Sequence, residues 1–453
     1  MTKALFLLVG GDVLITLLAQ LIALATEVSL WTGWKFAGLP LAMRWVLFAA
    51  VVLLTTYLVE LYSMERHFDR KSTFRRILVS LSLSLAALLT IYQLFPQVSL
   101  DRGMVTLSLL LFGVCQFVWH DRYPFFLHAR AVAKNVLILG TGPLAAQIGN
   151  TLGSSTHNYV LSGFVQMPGE LATVPETSIL AQTDQLFETA VKRHVDKIVV
   201  SLTERRGVLP VAELLQCRFH GIKVVDAVSF HEETTGKLLV DHTNPGWFIF
   251  ASGFRITDLK CYLKGVFDFA AALVGLIIIL PVFPLIALLI KIDSKGPIIF
   301  SQPRVGKNEK IFNVYKLRTM CKNAEGDSGA VWAQANDARI TRVGRFLRKS
   351  RLDEIPQLIN ILKGDMALVG PRPERPEFVQ LLKEKVPYYA RRHMVKPGIT
   401  GWAQVRFPYG ASVEDSLEKL KYDLYYMKHF SPLMDLLIIL ETVKVVLFGR
   451  GGR

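Results

Sequence analysis

Apolar residues are gathered into blocks along this chain, and the spacing of those blocks limits the fold more than any other feature. Four come first, at residues 4–25, 42–61, 77–95 and 104–119. Each is near the ~20 residues an α-helix needs to cross the hydrocarbon core of a bilayer. One globular core does not cluster its apolar residues in this way, so residues 1–122 are expected to form a transmembrane four-helix bundle. Asp12 interrupts the first block, and no basic leader or small-residue cleavage site stands out, so the block reads as a span and not a cleavable signal. The loop between the second and third blocks holds Arg66, Arg70, Lys71, Arg75 and Arg76, and the segment after the fourth holds Arg122, Arg130 and Lys134. The other two loops carry chiefly Lys35, Arg44 and Arg102, so the positive-inside rule places both ends of the bundle in the cytoplasm.

A fifth block, residues 263–290, is broken by Pro281 and Pro284 and has lysines on both sides: Lys260 and Lys264 before it, Lys291 and Lys295 after it. Proline removes a helix hydrogen bond and kinks the chain. Positive flanks at both ends favour a helix that bends at Pro281 and returns to the side it entered from. Asp268, near the membrane boundary, is expected to pair with Lys264 or Lys291. Residues 433–448 are apolar but contain Asp435, Glu441 and Lys444, which predicts an amphipathic helix lying in the interface.

Between these membrane segments, residues 134–254 read as an α/β domain. Residues 135–145 form an apolar strand, a glycine turn and a helix start. Further apolar runs at 160–165, 197–202 and 222–225 alternate with helical patterns at 184–194 and 210–220, the signature of a parallel sheet. The turn Gly140-Thr141-Gly142-Pro143-Leu144-Ala145 is a GxGxxA sequence able to place a dinucleotide at a helix N-terminus through Gly140, Gly142 and Ala145. No acidic residue ends the second strand, Glu170 comes late, and the domain lacks a Tyr-x-x-x-Lys pair. A structural or regulatory domain and a cofactor-binding one both fit.

The net charge of +15 is spread out, with no compact basic tract, so loop orientation and anion binding account for it and a nucleic-acid partner is not expected. Cys115, Cys217, Cys261 and Cys321 lie far apart, without metal-ligand or disulfide-scaffold spacing.

The residues able to carry chemistry lie after the fifth block. Asp353 and Glu354 are adjacent, with Arg345, Arg348, Arg351 and Arg372 nearby in sequence. An aspartate can attack phosphorus to give an acyl phosphate, provided cations neutralise the phosphoryl oxygens. In Gly370-Pro371-Arg372-Pro373 two prolines hold the backbone around an arginine suited to bidentate phosphate binding. Residues 315–320 read as a strand with Lys316 and Arg318 on one face. Arg304 sits in a tight turn, Gln302-Pro303-Arg304-Val305-Gly306. Taken singly, each of these features fits a solvated or rigid structural surface as well as a phosphate site.

In order, a proline-broken apolar helix, Gln-Pro-Arg-Val-Gly, Tyr-Lys-Leu-Arg-Thr-Met, Leu-Asp-Glu-Ile-Pro-Gln, Gly-Pro-Arg-Pro and Lys-Pro-Gly-Ile-Thr-Gly-Trp-Ala-Gln-Val resemble the bacterial sugar transferases, or monotopic phosphoglycosyl transferases. The resemblance covers about residues 260–449, and the preceding segments resemble the long form that starts exopolysaccharide or O-antigen synthesis. It implies an α/β catalytic domain over residues 260–453 with a re-entrant membrane helix. It also implies transfer of a sugar 1-phosphate from a UDP-sugar to a polyprenyl phosphate, undecaprenyl phosphate above all, with release of UMP. Asp353 would be the nucleophile and bind Mg²⁺, Glu354 would position the dyad or the metal, and Arg304, Lys316, Arg318, Arg348 and Arg372 would hold phosphates. The family bends its membrane helix at Ser-Pro; here Leu280-Pro281 keeps the proline alone. The implied setting is the bacterial inner membrane with the catalytic domain in the cytoplasm. Partners are the bilayer and the glycosyltransferases acting next, and the added domains offer surfaces for a homodimer. A membrane-anchored nucleotide-sugar oxidoreductase using the GxGxxA domain is the rival reading.

Overall fold

The structure is a computed structural model. It describes residues 3–30, 40–62, 69–128, 134–155, 159–201, 209–242, 248, 251–321, 339–407, 410 and 412–447. Lys35, Arg66 and Arg130, used above to orient the N-terminal helices, lie outside the described residues. The chain divides into two compact units, Met1–Ala227 and Val228–Arg453.

In the first unit, helices α1 (Lys3–Leu30), α2 (Leu41–Leu58), α3 (Arg70–Leu94) and α4 (Arg102–His128) are each long and apolar enough to cross a membrane. They pack through a shared apolar cluster that includes Ala19, Ala23, Phe48, Val52, Leu88 and Phe112. Their other faces leave leucines, valines and phenylalanines exposed, as expected where lipid replaces water. Polar contacts join the helices inside. Asp12 accepts hydrogen bonds from Tyr62 and Gln116 and lies 3.0 Å from His120 Nε2.

The α/β domain follows, with β1 (Lys134–Leu139), α5 (Pro143–Ser155), β2 (Tyr159–Gln166), β3 (Ile179–Gln182), α6 (Leu186–Lys192), β4 (Lys197–Val200), α7 (Val211–Phe219) and β5 (Lys223–Asp226). All strands are parallel, in the order β3-β2-β1-β4-β5. This is a doubly wound sheet with β1 central, so residues 136–139 of β1 are buried on both faces and read as an uninterrupted apolar run. Strand β3 was not legible in the sequence, because three half-buried residues and an exposed Gln182 carry too short a pattern to register. Gly163 sits at an irregularity in β2 with φ +148°, and a Cβ there would come within 2.5 Å of Leu180.

The second unit begins earlier than residue 260. Helix α8 (Ala227–Thr235) leads into it, and Leu238 and Val240 are buried with Tyr389, Trp402, Leu420 and Leu424 in its principal core. Residues expected at the end of the α/β domain therefore belong to the core of the following unit. The signal was hidden because a few apolar residues after a helix do not reveal which neighbour buries them.

Helices α9 (Asp258–Ile279) and α10 (Phe283–Asp293) are separated by a turn at residues 280–282. Pro281 has no N–H to continue α9, while Pro284 falls in the first turn of α10, where a missing N–H costs nothing. Both helices pack on the same body. Ala272 is buried with Val314, Ile361 and Met366, Gly275 approaches Leu358, and Ile286 and Ile290 pack on Leu317 and Leu347. The opposite faces expose Phe267, Ile277, Ile278, Leu280 and Ile292. Lys264 pairs with Asp268 at 3.3 Å and also with Asp435 at 2.8 Å, so the first of the two expected partners of Asp268 is the one used.

A hairpin of β6 (Ile299–Val305) and β7 (Ile311–Leu317), helices α11 (Arg342–Lys349) and α12 (Gln357–Leu362), and strand β8 (Ala367–Val369) build the site. Helix α13 (Pro376–Lys385), strand β9 (Gly398–Thr400), and helices α14 (Trp402–Arg406), α15 (Val413–Lys428) and α16 (Pro432–Leu447) enclose the core. Helix α16 turns Asp435 and Lys444 inward and leaves Leu433, Leu436 and Leu437 exposed, so its outer face is apolar.

Candidate active site

Asp353 and Glu354 lie on a single 3₁₀ turn, Leu352–Glu354, between α11 and α12. Helix α11 ends at Lys349, and Arg351 adopts φ 60°, a left-handed conformation that redirects the chain. The carboxylates thus sit where a helix has just stopped, and both are nearly covered, at 8% and 6% exposure.

Their surroundings differ. Glu354 Oε1 accepts from Lys316 Nζ and from Arg372 Nη2, each at 3.0 Å, and Arg351 lies 4.0 Å from Oε2. Burial alone would raise the Glu354 carboxyl, but Lys316, Arg372 and Arg351 outweigh it and hold the group well below the usual carboxylate range. No described side chain hydrogen-bonds to Asp353. Burial pushes its carboxyl up, Lys316 pulls it back, and the Glu354 charge pushes it up again. One carboxylate is therefore a fixed counter-ion, and its neighbour is a buried acceptor whose lone pairs no described side chain engages.

The cations are placed by backbone pinning. Asn360, fully buried on α12, accepts from Tyr315 N at 3.1 Å and donates to Asn313 O at 2.7 Å, which fixes β7 and hence Lys316. Arg372 stands in the loop after β8. Its Nη1 donates to Gln404 Oε1 at 3.0 Å, and its backbone carbonyl accepts from Arg392 Nη2 at 3.1 Å. Arg392 in turn forms a buried ion pair with Asp423 at 2.7 Å. Arg304 donates to Pro373 O at 3.2 Å and to Gln302 Oε1 at 2.6 Å, so it braces the Gly370–Pro373 loop from the hairpin side. Arg348 donates to Thr319 Oγ1 at 2.9 Å and is close enough to Asp353 to lower its carboxyl.

Arg318 does something else. Strand β7 ends at Leu317, so the alternation that would put Arg318 beside Lys316 stops one residue short. Its guanidinium donates to Ile290 O, to both oxygens of Ser294, and to Pro297 O. A cation there satisfies the orphan carbonyls at the C-terminus of α10 and complements its dipole.

The glycine turn of the α/β domain is already filled. Glu170 Oε2 accepts from Thr141 N at 2.8 Å, and Oε1 accepts from Gly142 N at 3.0 Å. These donors open helix α5, where a pyrophosphate would be expected to bind. Gly140 takes φ 118°, and a Cβ on Gly142 would lie 2.8 Å from Glu170, so the glycines admit the chain's own carboxylate. Ala145 is fully buried in the packing of α5 on the sheet.

Asn360, Gln404, Arg392 and Asp423 carry no sequence signal that marks them as part of this site. A buried asparagine or glutamine looks like any other polar residue until its partners are placed. Gln404 ends the turn-rich run from Lys396, but that run names no partner.

Among the described residues no cluster of three or more His, Cys, Asp or Glu side chains is arranged as a metal site. The Asp353 oxygens, to which no described side chain hydrogen-bonds, fit Mg²⁺ beside an ionised Glu354, since Mg²⁺ is commonly held by one or two carboxylates with water and substrate phosphates.

A family profile described as bacterial sugar transferase matches residues 259–449. The UDP-N-acetylgalactosamine-undecaprenyl-phosphate N-acetylgalactosaminephosphotransferase of Aeromonas hydrophila is 40% identical over 240 residues, 53% of this chain and 56% of that protein. The undecaprenyl-phosphate glucose phosphotransferase of Komagataeibacter xylinus is 33% identical over 333 residues, 71% of this chain and 61% of that protein. The exopolysaccharide production protein PSS of Rhizobium leguminosarum bv. phaseoli is 42% identical over 186 residues, 40% of this chain but 93% of that protein. The chain thus spans about three-fifths of the first two relatives and nearly all of the third.

Proposed function

The chain belongs to the bacterial sugar transferase family, and from that premise we propose that it transfers a sugar 1-phosphate from a UDP-sugar to undecaprenyl phosphate. The observation that carries this reading is the asymmetric dyad: Glu354 is neutralised by Lys316 and Arg372, while Asp353 is buried and hydrogen-bonded to no described side chain.

In the first step an Asp353 carboxylate oxygen attacks the sugar-bearing phosphorus. A P–O bond forms, and the bond to the bridging oxygen breaks with its electron pair leaving on UMP. In the second, a phosphate oxygen of the lipid attacks the same phosphorus and expels the Asp353 carboxylate, giving a polyprenyl diphosphate sugar. Arg372 and Lys316 offset charge on the transferring group, and Glu354 holds both cations in place. When bound at Asp353, Mg²⁺ supplies charge neutralisation on the nucleotide phosphates.

The membrane arrangement follows. The N-terminal helices form a transmembrane bundle, and α9 and α10 form a re-entrant hairpin. Support comes from both hairpin arms packing on the catalytic body and from their exposed apolar outer faces. An even number of spans and a hairpin leave Asp353 on the cytoplasmic face of the inner membrane, where a soluble nucleotide sugar and a lipid phosphate meet. The product would begin an exopolysaccharide or O-antigen chain and pass to the next glycosyltransferases. Against the oxidoreductase reading stands Glu170, which occupies the GxGxxA donors.

The test is UMP release from a panel of UDP-sugars by protein in detergent with Mg²⁺ and undecaprenyl phosphate. Asp353→Asn should abolish release, and full activity in that variant would reject the assignment. A C-terminal tag should be unreachable from outside intact cells; labelling there would reject the hairpin.

A further inference from the structure

Arg372 has more donors than Glu354 uses, and the second partner is informative. Its Nη2 reaches Glu354 Oε1 at 3.0 Å, and Nη1 reaches Gln404 Oε1 at the same distance. The amide is itself oriented, since Gln404 Nε2 donates to Ile399 O at 3.2 Å. The oxygen is therefore aimed at the guanidinium and cannot rotate away without losing both bonds.

Gln404 stands on α14, a short helix that would be a poor platform if it were loose. It is clamped through Trp402, which is buried, donates from Nε1 to Gly236 O at 2.7 Å, and stacks on Tyr425 at 5.9 Å between ring centroids. Gly401, just before α14, packs so closely on Gly370 that a Cβ would lie 2.2 Å from the Gly370 carbonyl oxygen. The helix bearing Gln404 and the loop bearing Arg372 thus share one backbone contact and one side-chain contact. About 40% of the Arg372 side chain stays exposed, so the residue is not sealed off from a ligand.

We propose that Gln404 is a positioning residue for the transferase reaction: it fixes the Arg372 guanidinium against Glu354, leaving the remaining N–H groups aimed at the phosphates of the nucleotide sugar. Without the Gln404 oxygen, Arg372 is held at one point and swings about its Glu354 contact. Misplacement of this kind costs rate more than ground-state binding, because cationic contacts count most where charge develops. This inference rests on the transferase reading above.

Full-length protein in detergent is assayed for UMP release with Mg²⁺, undecaprenyl phosphate and the preferred UDP-sugar. The variants are Gln404→Met, Gln404→Glu and Asp353→Asn, and each is also measured for thermal stability. Gln404→Met removes the acceptor at similar volume and should lower kcat roughly 100-fold, with KM changed by less than about threefold and melting nearly unchanged. Gln404→Glu keeps the acceptor and should recover at least about tenfold over Gln404→Met, since an oxygen facing Arg372 is restored. Gln404→Met within about threefold of the parent, or Gln404→Glu no better than Gln404→Met, would overturn the positioning role. Should Gln404→Met melt early, Gln404→Glu against the parent decides alone: comparable kcat supports the role, and a loss equal to that of Gln404→Met rejects it. Asp353→Asn is the separate control. If it stays active, the reaction assignment fails, whatever the Gln404 variants do.

Discussion

Replacing Asp423 with asparagine should loosen the Gly370–Pro373 loop from behind. Asp423 and Arg392 are 2% and 5% exposed, and Asp423 Oδ2 accepts from Arg392 Nε at 3.0 Å and from Nη2 at 2.7 Å. The same guanidinium donates to Tyr389 OH at 2.7 Å and to the Arg372 carbonyl at 3.1 Å. Asp423→Asn keeps the shape but leaves a buried guanidinium without its counter-charge, a change that costs about 3–5 kcal/mol. At 1.4 kcal/mol per tenfold, local opening should rise by roughly 10²- to 4 × 10³-fold. Hydrogen exchange read by mass spectrometry over residues 388–395 and 420–427 reports this without requiring a membrane protein to unfold reversibly. The pair Arg392→Met with Asp423→Leu replaces both charges by apolar groups and should recover most of the protection. A change below about tenfold in Asp423→Asn, or a double variant no better protected than the single one, would show that the ion pair does not hold this region together.

Three further outcomes follow from the same reasoning. Because burial raises the Asp353 carboxyl, the acidic limb of kcat/KM for UMP release should lie above the ordinary aspartate value of 3.8; Arg348→Gln removes a cation that lowers this group and should move the limb higher still, and an unmoved or lowered limb would contradict the electrostatics. Arg318→Met should lower thermal stability through the uncapped end of α10, by about 1–3 kcal/mol, while leaving KM for the UDP-sugar within about twofold; a large KM increase would return Arg318 to phosphate binding. Glu170→Ala should destabilise the α/β domain by about 1–3 kcal/mol, measured as faster exchange at Thr141 and Gly142, because both amides lose their acceptor.

What the sequence disclosed depended on whether a residue acts through a local pattern or a distant partner. The apolar blocks, the Pro281 break and the alternating strands and helices of the α/β domain are periodic or punctuated signals, and they reappear as elements, although the third and fourth helices reach seven and nine residues beyond their apolar blocks, to Arg70 and His128. The Asp353–Glu354 pair and the Arg372 loop stood out because their neighbours are unusual in sequence. The division of labour between the two carboxylates did not, since it is set by Lys316, 37 residues before Asp353, and by Arg372 across the fold. The place of Arg318 was hidden for a related reason: period-two reasoning holds only while the strand lasts, and β7 ends one residue too soon. The filled glycine turn shows the same limit, because Glu170 follows β2 by four residues and only the folded loop returns it to Thr141 and Gly142.

The proposed transferase reaction stands or falls on a covalent bond between Asp353 and the phosphosugar. The direct measurement is intact-protein and peptide mass spectrometry after incubation with a UDP-sugar and Mg²⁺ in the absence of any lipid acceptor. The expected result is release of UMP up to one equivalent, a mass increase equal to one sugar phosphate on the peptide containing Asp353, and loss of that label when undecaprenyl phosphate is added. UMP formed only in the presence of the lipid, with no label on the protein, would contradict it.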